Sequence, residues 1–482
     1  EPGIEIGQFD DENGFVKQEF DNEYDVGWFN NTPLEVKHKN IQYTAAHYLG
    51  LKLPVRHEKG IRPRVDILDK ERKIDGKYVC ISVHSTAQCK YWNNPEGWSK
   101  TTKYLNDLGY KVVCIDKQSR YGVEGSYNYI PEGAIDKTGD FPLQERVTDI
   151  YNCEFFIGLG SGLSWLAWGL GKDVVLISGF SNKETEFYTP YRVINENVCN
   201  SCWNKHEFNT GDWDWCPEHK DTERQFECSK QITFEMVKKQ IDKVIIKKEV
   251  YSDSDQWKDV FHEVVIRGVY QKFYEIKKGD IVVDLGSSRG PLYHANRHKD
   301  ITYFGVEAYN DNVKIFENSL NPEERVKAKV VNRFFKSQSK GEIVTYEGDW
   351  SPETTKFPSL SLSGSKDSAT KSINFNEVLE EIGNKKIDFL KFDIEGEEIR
   401  MFQNDYDLLL QKANVIVGEV HGVHIESNGA FSLIKRLKED RRVALDITAI
   451  CGTDINENFW ESCKNGVRSN FYTEVIIHIK VL

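Results

Sequence analysis

Asp280-Ile-Val-Val-Asp-Leu-Gly-Ser-Ser-Arg-Gly290 is a short apolar run that breaks into a loop bounded by two glycines. The run reads as a buried strand, the loop as a turn opening a helix. Gly286 and Gly290 let the backbone approach a ligand, and the following helix presents free amide groups. Further on, Thr302-Tyr-Phe-Gly-Val-Glu307 is a second strand that ends in an acid. A carboxylate there can accept both ribose hydroxyls of a nucleoside. Strand, glycine loop, helix and strand together set the fold class as α/β, with ligands at the carboxyl ends of the strands.

The loop is not the GxGxxG of dinucleotide-binding folds. It reads Gly286-Ser-Ser-Arg-Gly290 with Asp284 two residues ahead, a pattern that favours S-adenosylmethionine. Asp284, Gly286, Gly290 and Glu307 are therefore the expected donor-binding residues. Ile387-Asp-Phe-Leu-Lys-Phe-Asp393-Ile-Glu-Gly-Glu-Glu398 is a later strand, acidic turn and helix, and Val415-Ile-Val-Gly-Glu-Val-His421 is the next strand. Carboxylates and a histidine at strand ends suit removal of a proton from a hydroxyl acceptor, which nominates Asp393 and His421 as catalytic. Glu397 and Glu398 read more simply as acids favouring a helix N-terminus.

The segment Asp388-Phe-Leu-Lys-Phe-Asp-Ile-Glu-Gly-Glu-Glu398 resembles the characteristic segment of FkbM-type methyltransferases, and the resemblance covers about residues 250–480. It implies a class I methyltransferase fold and S-adenosylmethionine-dependent O-methylation, often of sugars. It also places Asp349 near the adenine. Residues 351–371, rich in Ser, Thr and Lys, read as a mobile loop over the acceptor.

The first half holds another α/β pattern. Lys77-Tyr-Val-Cys-Ile-Ser-Val-His84 is a buried strand, followed by a loop with Ser85, Thr86 and Lys90. Lys111–Asp116, Cys153–Gly158 and Asp173–Ser178 are further strands, and Gly160-Ser161-Gly162 opens an apolar helix containing Trp165. Hydroxyls and a cation in one loop, and backbone amides at a helix N-terminus in the other, suit a phosphorylated ligand. Each loop alone is ordinary, since Ser-Thr loops cap helices and a single lysine is usually a solvated charge. Their meeting after successive strands makes the case.

Cys199, Cys202, Cys216 and Cys228 fall within thirty residues, beginning with a CxxC pair. A CxxC turn directs two thiolates at one cation, and the other two complete a tetrahedral set. Buried or disulfide-bonded cysteines are the alternative, and spacing does not separate zinc from iron.

Lys90–Trp98, Phe156–Trp168 and the cysteine stretch with Arg224-Gln-Phe-Glu-Cys228 resemble the bacterial autotransporter heptosyltransferases over about residues 23–245. That resemblance implies the nucleotide-sugar half of a glycosyltransferase B-type fold. It implies transfer of heptose from an ADP-sugar to protein hydroxyls, an autotransporter as acceptor, iron rather than zinc at the four cysteines, and ring-like homo-oligomers. Ser85, Thr86, Lys90, Ser161, Gly162 and Trp165 would hold the sugar nucleotide. The acceptor-side half of such an enzyme should precede the first strand, yet only about seventy-five residues do so. Either that half was removed, another chain supplies it, or the domain no longer transfers sugar.

The expected division is 1–75 as the end of an acceptor-side half and linker, 76–248 as the sugar-nucleotide domain, and 249–482 as the methyltransferase domain. The 482 residues suffice for this. The net charge of −13 argues against nucleic acid as a main partner. No apolar run reaches the roughly 18–20 residues that cross a bilayer. Isolated cysteines in apolar runs and the lack of a visible signal segment suggest a cytoplasmic, reducing setting. The chain starts at Glu1 without methionine, so the reading expects a processed or shortened chain.

Overall fold

Tyr78–Ile81 forms strand β1, buried along its whole length, and the first sheet grows outward from it. The computed structural model describes residues 40–51, 61–209, 211–251, 258–338, 341–345, 369–421, 429–449 and 475–482. It divides the chain into two units, Glu1–Ile241 and Asp242–Leu482.

In the first unit, β1 is followed by β2 (Lys111–Cys114), a hairpin of β3 (Arg120–Val123) and β4 (Ser126–Tyr129), then β5 (Ile135–Asp136), β6 (Phe156–Leu159), β7 (Val174–Ile177) and β8 (Arg192–Val193). Among the described residues the main sheet runs β5-β2-β1-β6-β7-β8, and its pairs are parallel. The order reverses between β1 and β6, and open α/β sheets bind ligands at such a reversal. The Lys90 loop leaves β1 and the Gly160-Ser-Gly turn leaves β6, so both candidate loops open at that point. Phe156, Ile150, Trp168, Leu176 and Phe187 pack beneath them, each worth about 1.5–3 kcal/mol of apolar burial. The β3–β4 hairpin is separate from the main sheet; its two polar, half-exposed strands carry no apolar signal in the sequence.

The second unit holds β9 (Ile281–Leu285), β10 (Thr302–Glu307), β11 (Ala328–Phe335), β12 (Ile343–Thr345), β13 (Ala369–Ile373), β14 (Ile387–Phe392), β15 (Ala413–Val420), β16 (Val443–Ala449) and β17 (Val475–Val481). The sheet runs β12-β13-β11-β10-β9-β14-β15-β17-β16. From β13 to β15 it is parallel, whereas β17 pairs antiparallel with both β15 and β16. At the other edge β12 pairs antiparallel with β13, so a parallel centre is flanked by antiparallel strands on both sides. The reversal point lies between β9 and β14.

Two local readings change. The aromatic and apolar spacing of 251–275 reads as one helix, but from Lys258 onward the described residues form a short helix Lys258–Phe261, a π-turn His262–Arg267 and a 3-10 turn Val269–Gln271. Gly268 at φ 62° divides the last two, since a left-handed residue cannot continue the helix. The end of the expected mobile loop, 369–371, belongs to β13, which pairs with β11; residues 351–368 and Asp349 lie outside the described residues. Among the described residues no helix is long and apolar enough to cross a membrane.

Candidate functional sites

In the first unit the sequence places a hydroxyl-and-lysine loop beside a glycine-serine turn, and the geometry joins them. Lys90 Nζ lies 3.4 Å from Thr86 Oγ1 and sits over the rings of Phe180 and Phe208, 5.8 Å from each centroid. Burial lowers its pKa, while Cys89 and Glu186 pull the other way. Glu186 also lies against Gly160, where an added Cβ would come within 2.6 Å of its Oε1. This buried carboxylate accepts hydrogen bonds from Ser181 Oγ at 2.5 Å and Arg192 at 2.8 Å. It connects the two loops, and sequence reasoning missed it because it sits in an irregular segment with no motif. Ser161 stands at the N-cap position of the helix Gly162–Gly169 without a side-chain capping bond, and its buried Oγ has no hydrogen-bond partner. Thr86 and Gly162 are exposed, and Ser85 is half-buried. Trp165 instead packs on Phe187 and Trp168, 5.1 and 5.8 Å between centroids, so it braces the helix against the core.

The four cysteines gather against the exit of β7. The amides of Ser201 and Trp203 donate to the carbonyls of Gly179 and Phe180 at 2.9 and 3.0 Å. Ser201 and Phe226 adopt left-handed φ values of 63° and 58°, tight turns that point Cys202 and Cys228 inward. Burial, then Cys199, Cys228 and Cys216, push the Cys202 thiol up to about 12. Burial, then Cys216, Cys89 and Cys199, do the same to Cys228. The thiols thus feel one another, and Cys89 from the Lys90 loop borders the same group. No disulfide joins the described cysteines. Cys199 also converges with His219 and Glu227, and Glu227 accepts from the Cys199 amide at 3.1 Å and from Arg224 at 2.6 Å. A soft, mutually repelling thiol set is one that a bound cation would stabilise.

In the second unit, Gly286 at φ 77° passes so close to β14 that an added Cβ would lie 1.8 Å from the Asp393 carbonyl oxygen. Gly290 is similarly confined, 2.3 Å from Phe316. Asp284 turns inward: its Oδ2 accepts from Tyr303 at 2.7 Å and its Oδ1 pairs with Lys391 at 3.1 Å. It therefore supports the glycine loop from behind. Glu307 is buried and accepts from the amides of Ser288 and Tyr309 at 2.7 and 2.9 Å, which fastens the glycine loop to the end of β10.

Asp393 and His421 do meet. His421 Nε2 lies 3.7 Å from both Asp393 Oδ1 and Glu395 Oε2, and 3.6 Å from Glu419 Oε2. Its Nδ1 faces Glu398 Oε1 at 3.1 Å. Burial opposes the imidazolium, but Glu398, Asp393 and Glu395 outweigh it and hold its pKa well above the ordinary value. Glu398, read from sequence as a helix-favouring acid, is thus the carboxylate that orients His421. Tyr270 donates to Glu419 at 2.6 Å, and burial, then Asp393 and Glu263, push Glu419 well above the usual carboxylate range.

The chain matches known families in two places. Residues 39–214 match glycosyltransferase family 9 (heptosyltransferase), and residues 293–443 match the methyltransferase FkbM domain. Over 215 residues the chain is 47% identical to the autotransporter heptosyltransferase BAHTCr of Citrobacter rodentium, covering 44% of this chain and 50% of that protein. Over 181 residues it is 41% identical to the inactive autotransporter heptosyltransferase BimC of Burkholderia thailandensis, covering 37% and 43%. The crystal structure of the bacterial iron-containing dodecameric glycosyltransferase TibC, from enterotoxigenic E. coli, is 45% identical over 44% of this chain and 54% of that one, with a TM-score of 0.41. The chain spans about half the length of the curated heptosyltransferases it matches.

Proposed function

We propose that this chain, carrying a heptosyltransferase-type domain and an FkbM-type methyltransferase domain, is a bifunctional glycan-modifying enzyme. The first unit transfers heptose from an ADP-sugar to a protein hydroxyl, and the second methylates a sugar hydroxyl with S-adenosylmethionine. The first part is supported by the Lys90–Thr86 loop and the Ser161 helix N-terminus both opening at the sheet reversal, with Glu186 against Gly160 and acting on Lys90. Lys90 and the helix amides would take up the charge that develops on the leaving diphosphate. The base for the protein hydroxyl is not among these residues; it would come from an acceptor-side segment or a second copy in a homo-oligomer.

For methyl transfer, the Gly286–Gly290 loop would receive the donor with Glu307 at its edge, and the acceptor would approach Asp393. Transfer is an in-line displacement, so positioning and proton removal are the protein's tasks. Glu398 engages the Nδ1 side of His421, and proton removal falls to Asp393. The Cys199, Cys202, Cys216 and Cys228 thiols would hold a structural metal. Iron is favoured by the resemblance and zinc suits the same ligands; bound metal would cross-link the end of the first unit.

Incubation of the chain with ADP-heptose and an acceptor peptide, and separately with S-adenosylmethionine and a heptosylated peptide, tests both halves by mass spectrometry. Failure of both additions sinks the reading. Methylation without heptose transfer supports the second reading, that the first unit is a binding or assembly module. The kinship to a relative described as inactive favours that alternative.

A further inference from the structure

We infer that the carboxyl ends of β14 and β15 form a divalent-cation site whose protein ligands are Asp393, Glu395 and His421 Nε2, and that the acceptor hydroxyl binds this cation. The inference rests on the methyl-transfer reading for its role, but on geometry alone for the site. One ligand atom from each residue falls within a 4.8 Å set. The separations of 3.7 Å from Nε2 to each carboxylate exceed direct hydrogen-bond lengths of about 2.7–3.2 Å. They suit ligands sharing one ion at about 2.0–2.2 Å from each.

An independent feature points the same way. Glu398, fully buried, accepts from His421 Nδ1 at 3.1 Å and from the His421 amide at 2.8 Å, while its other oxygen takes the Gly396 amide at 2.8 Å. A carboxylate that fixes one ring nitrogen, and so aims the other, is the outer partner that metal-bound histidines carry. Further acids stand beside the cluster, with Lys391 Nζ 3.8 Å from Asp393 as the neighbouring cation. Glu419 Oε2 lies 3.6 Å from Nε2, and Glu263 Oε1 is buried without a hydrogen-bond partner. Asp393 and Glu395 side chains are 29% and 52% exposed, which gives an ion a way in. Oxygen-rich ligands with one imidazole select a hard or borderline ion such as Mg2+ or Mn2+ over the soft ions suited to the cysteines.

The site adjoins the donor loop, because the Asp393 amide donates to the Leu285 carbonyl at 2.9 Å. An acceptor hydroxyl on the cation loses its proton more readily, and the Asp393 oxygen not bound to the ion would accept it. Its oxygen then bonds to the donor methyl carbon as the sulfur–methyl bond breaks, and the sulfonium leaves as a neutral thioether. Adjacent sugar hydroxyls could chelate the ion together, so the acceptor class is a vicinal diol.

Mn2+ titration of the full chain, read by the electron-paramagnetic-resonance signal of free Mn2+, tests the site without relying on activity. We expect binding in the unaltered chain, about a tenfold weaker Kd in Glu395→Gln, and a greater loss in Asp393→Asn. Circular dichroism confirms folding, and the exposed Glu395 gives a variant with little structural risk. No Mn2+ binding by the unaltered chain, or unchanged binding in both variants, overturns the site. Calorimetry with S-adenosylmethionine separates the two claims. Mn2+ binding without donor binding keeps the site and sinks the methyl-transfer reading, whereas donor binding without Mn2+ binding does the reverse.

Discussion

Lys391 Nζ lies 2.6 Å from the carbonyl oxygen of Gly286, so a side chain of β14 holds the glycine loop that leaves β9. The same ammonium pairs with Asp284 at 3.1 Å, stands 3.8 Å from Asp393 and lies over the Tyr270 ring. Burial opposes its charge, but Asp284 and Asp393 outweigh that and hold its pKa above the ordinary lysine value. One buried cation thus ties the glycine loop to the acidic cluster. Lys391→Met should leave Asp284 uncompensated and cost about 3–5 kcal/mol. Urea unfolding of the second unit measures it, and a loss under about 1 kcal/mol would contradict the network.

Gly286→Ala tests the loop's backbone directly. Its φ of 77° is left-handed, and the added methyl would collide with the Asp393 carbonyl oxygen at 1.8 Å. The loop must move, so S-adenosylmethionine affinity should fall by at least tenfold, about 1.4 kcal/mol or more. Gly383→Ala is the control: φ is 68°, yet nothing lies within 4 Å of its added Cβ, so it bears the strain without the collision. Equal effects from the two would show that conformation alone, not close approach, is at issue.

What the sequence revealed was whatever a periodic signal or a local motif can carry. The wholly buried strands β1, β6 and β7 are apolar runs, and both glycine-bearing loops follow such runs. Side-chain direction was less legible. Asp284 looked like a donor ligand but faces Tyr303 and Lys391, because the strand's pleat, not its motif, decides where that carboxylate points. Glu398 looked like a helix-favouring acid, and its bond to His421 joins residues 23 apart in sequence. Glu186 and Cys89 were missed for the same reason: each is placed by packing between distant segments.

His294 should make the second unit acid-sensitive. It is 1% exposed, and burial, then Arg297, lower its pKa to about 3. Unfolded, the imidazole titrates near 6.5. The unfolded chain therefore binds a proton that the folded chain refuses. Stability is full above about pH 6.5 and falls by about 1.4 kcal/mol per unit between there and about pH 3. His294→Phe keeps the aromatic packing near Phe316 and removes the titration. The variant's urea midpoint should fall less steeply from pH 7 to 5 than that of the unaltered chain. Parallel slopes would rule out this histidine as the source.

Cys202→Ser separates a structural metal from a catalytic one. Four protein thiolates leave no open position for substrate, so a metal bound by them would hold the 199–228 segment together. That segment packs on the exit of β7 through Gly179, where an added Cβ would meet the Cys228 carbonyl carbon at 2.7 Å and its oxygen at 2.4 Å. It also touches the Lys90 loop through Ala87 and Cys89. The variant should lose its metal by elemental analysis and show faster proteolysis within 199–228. ADP affinity should weaken as a consequence, because the Lys90 loop loses its support. Lys90→Met should weaken ADP with metal content unchanged. A Cys202→Ser chain that keeps a protease-resistant segment without metal would refute the cross-linking role.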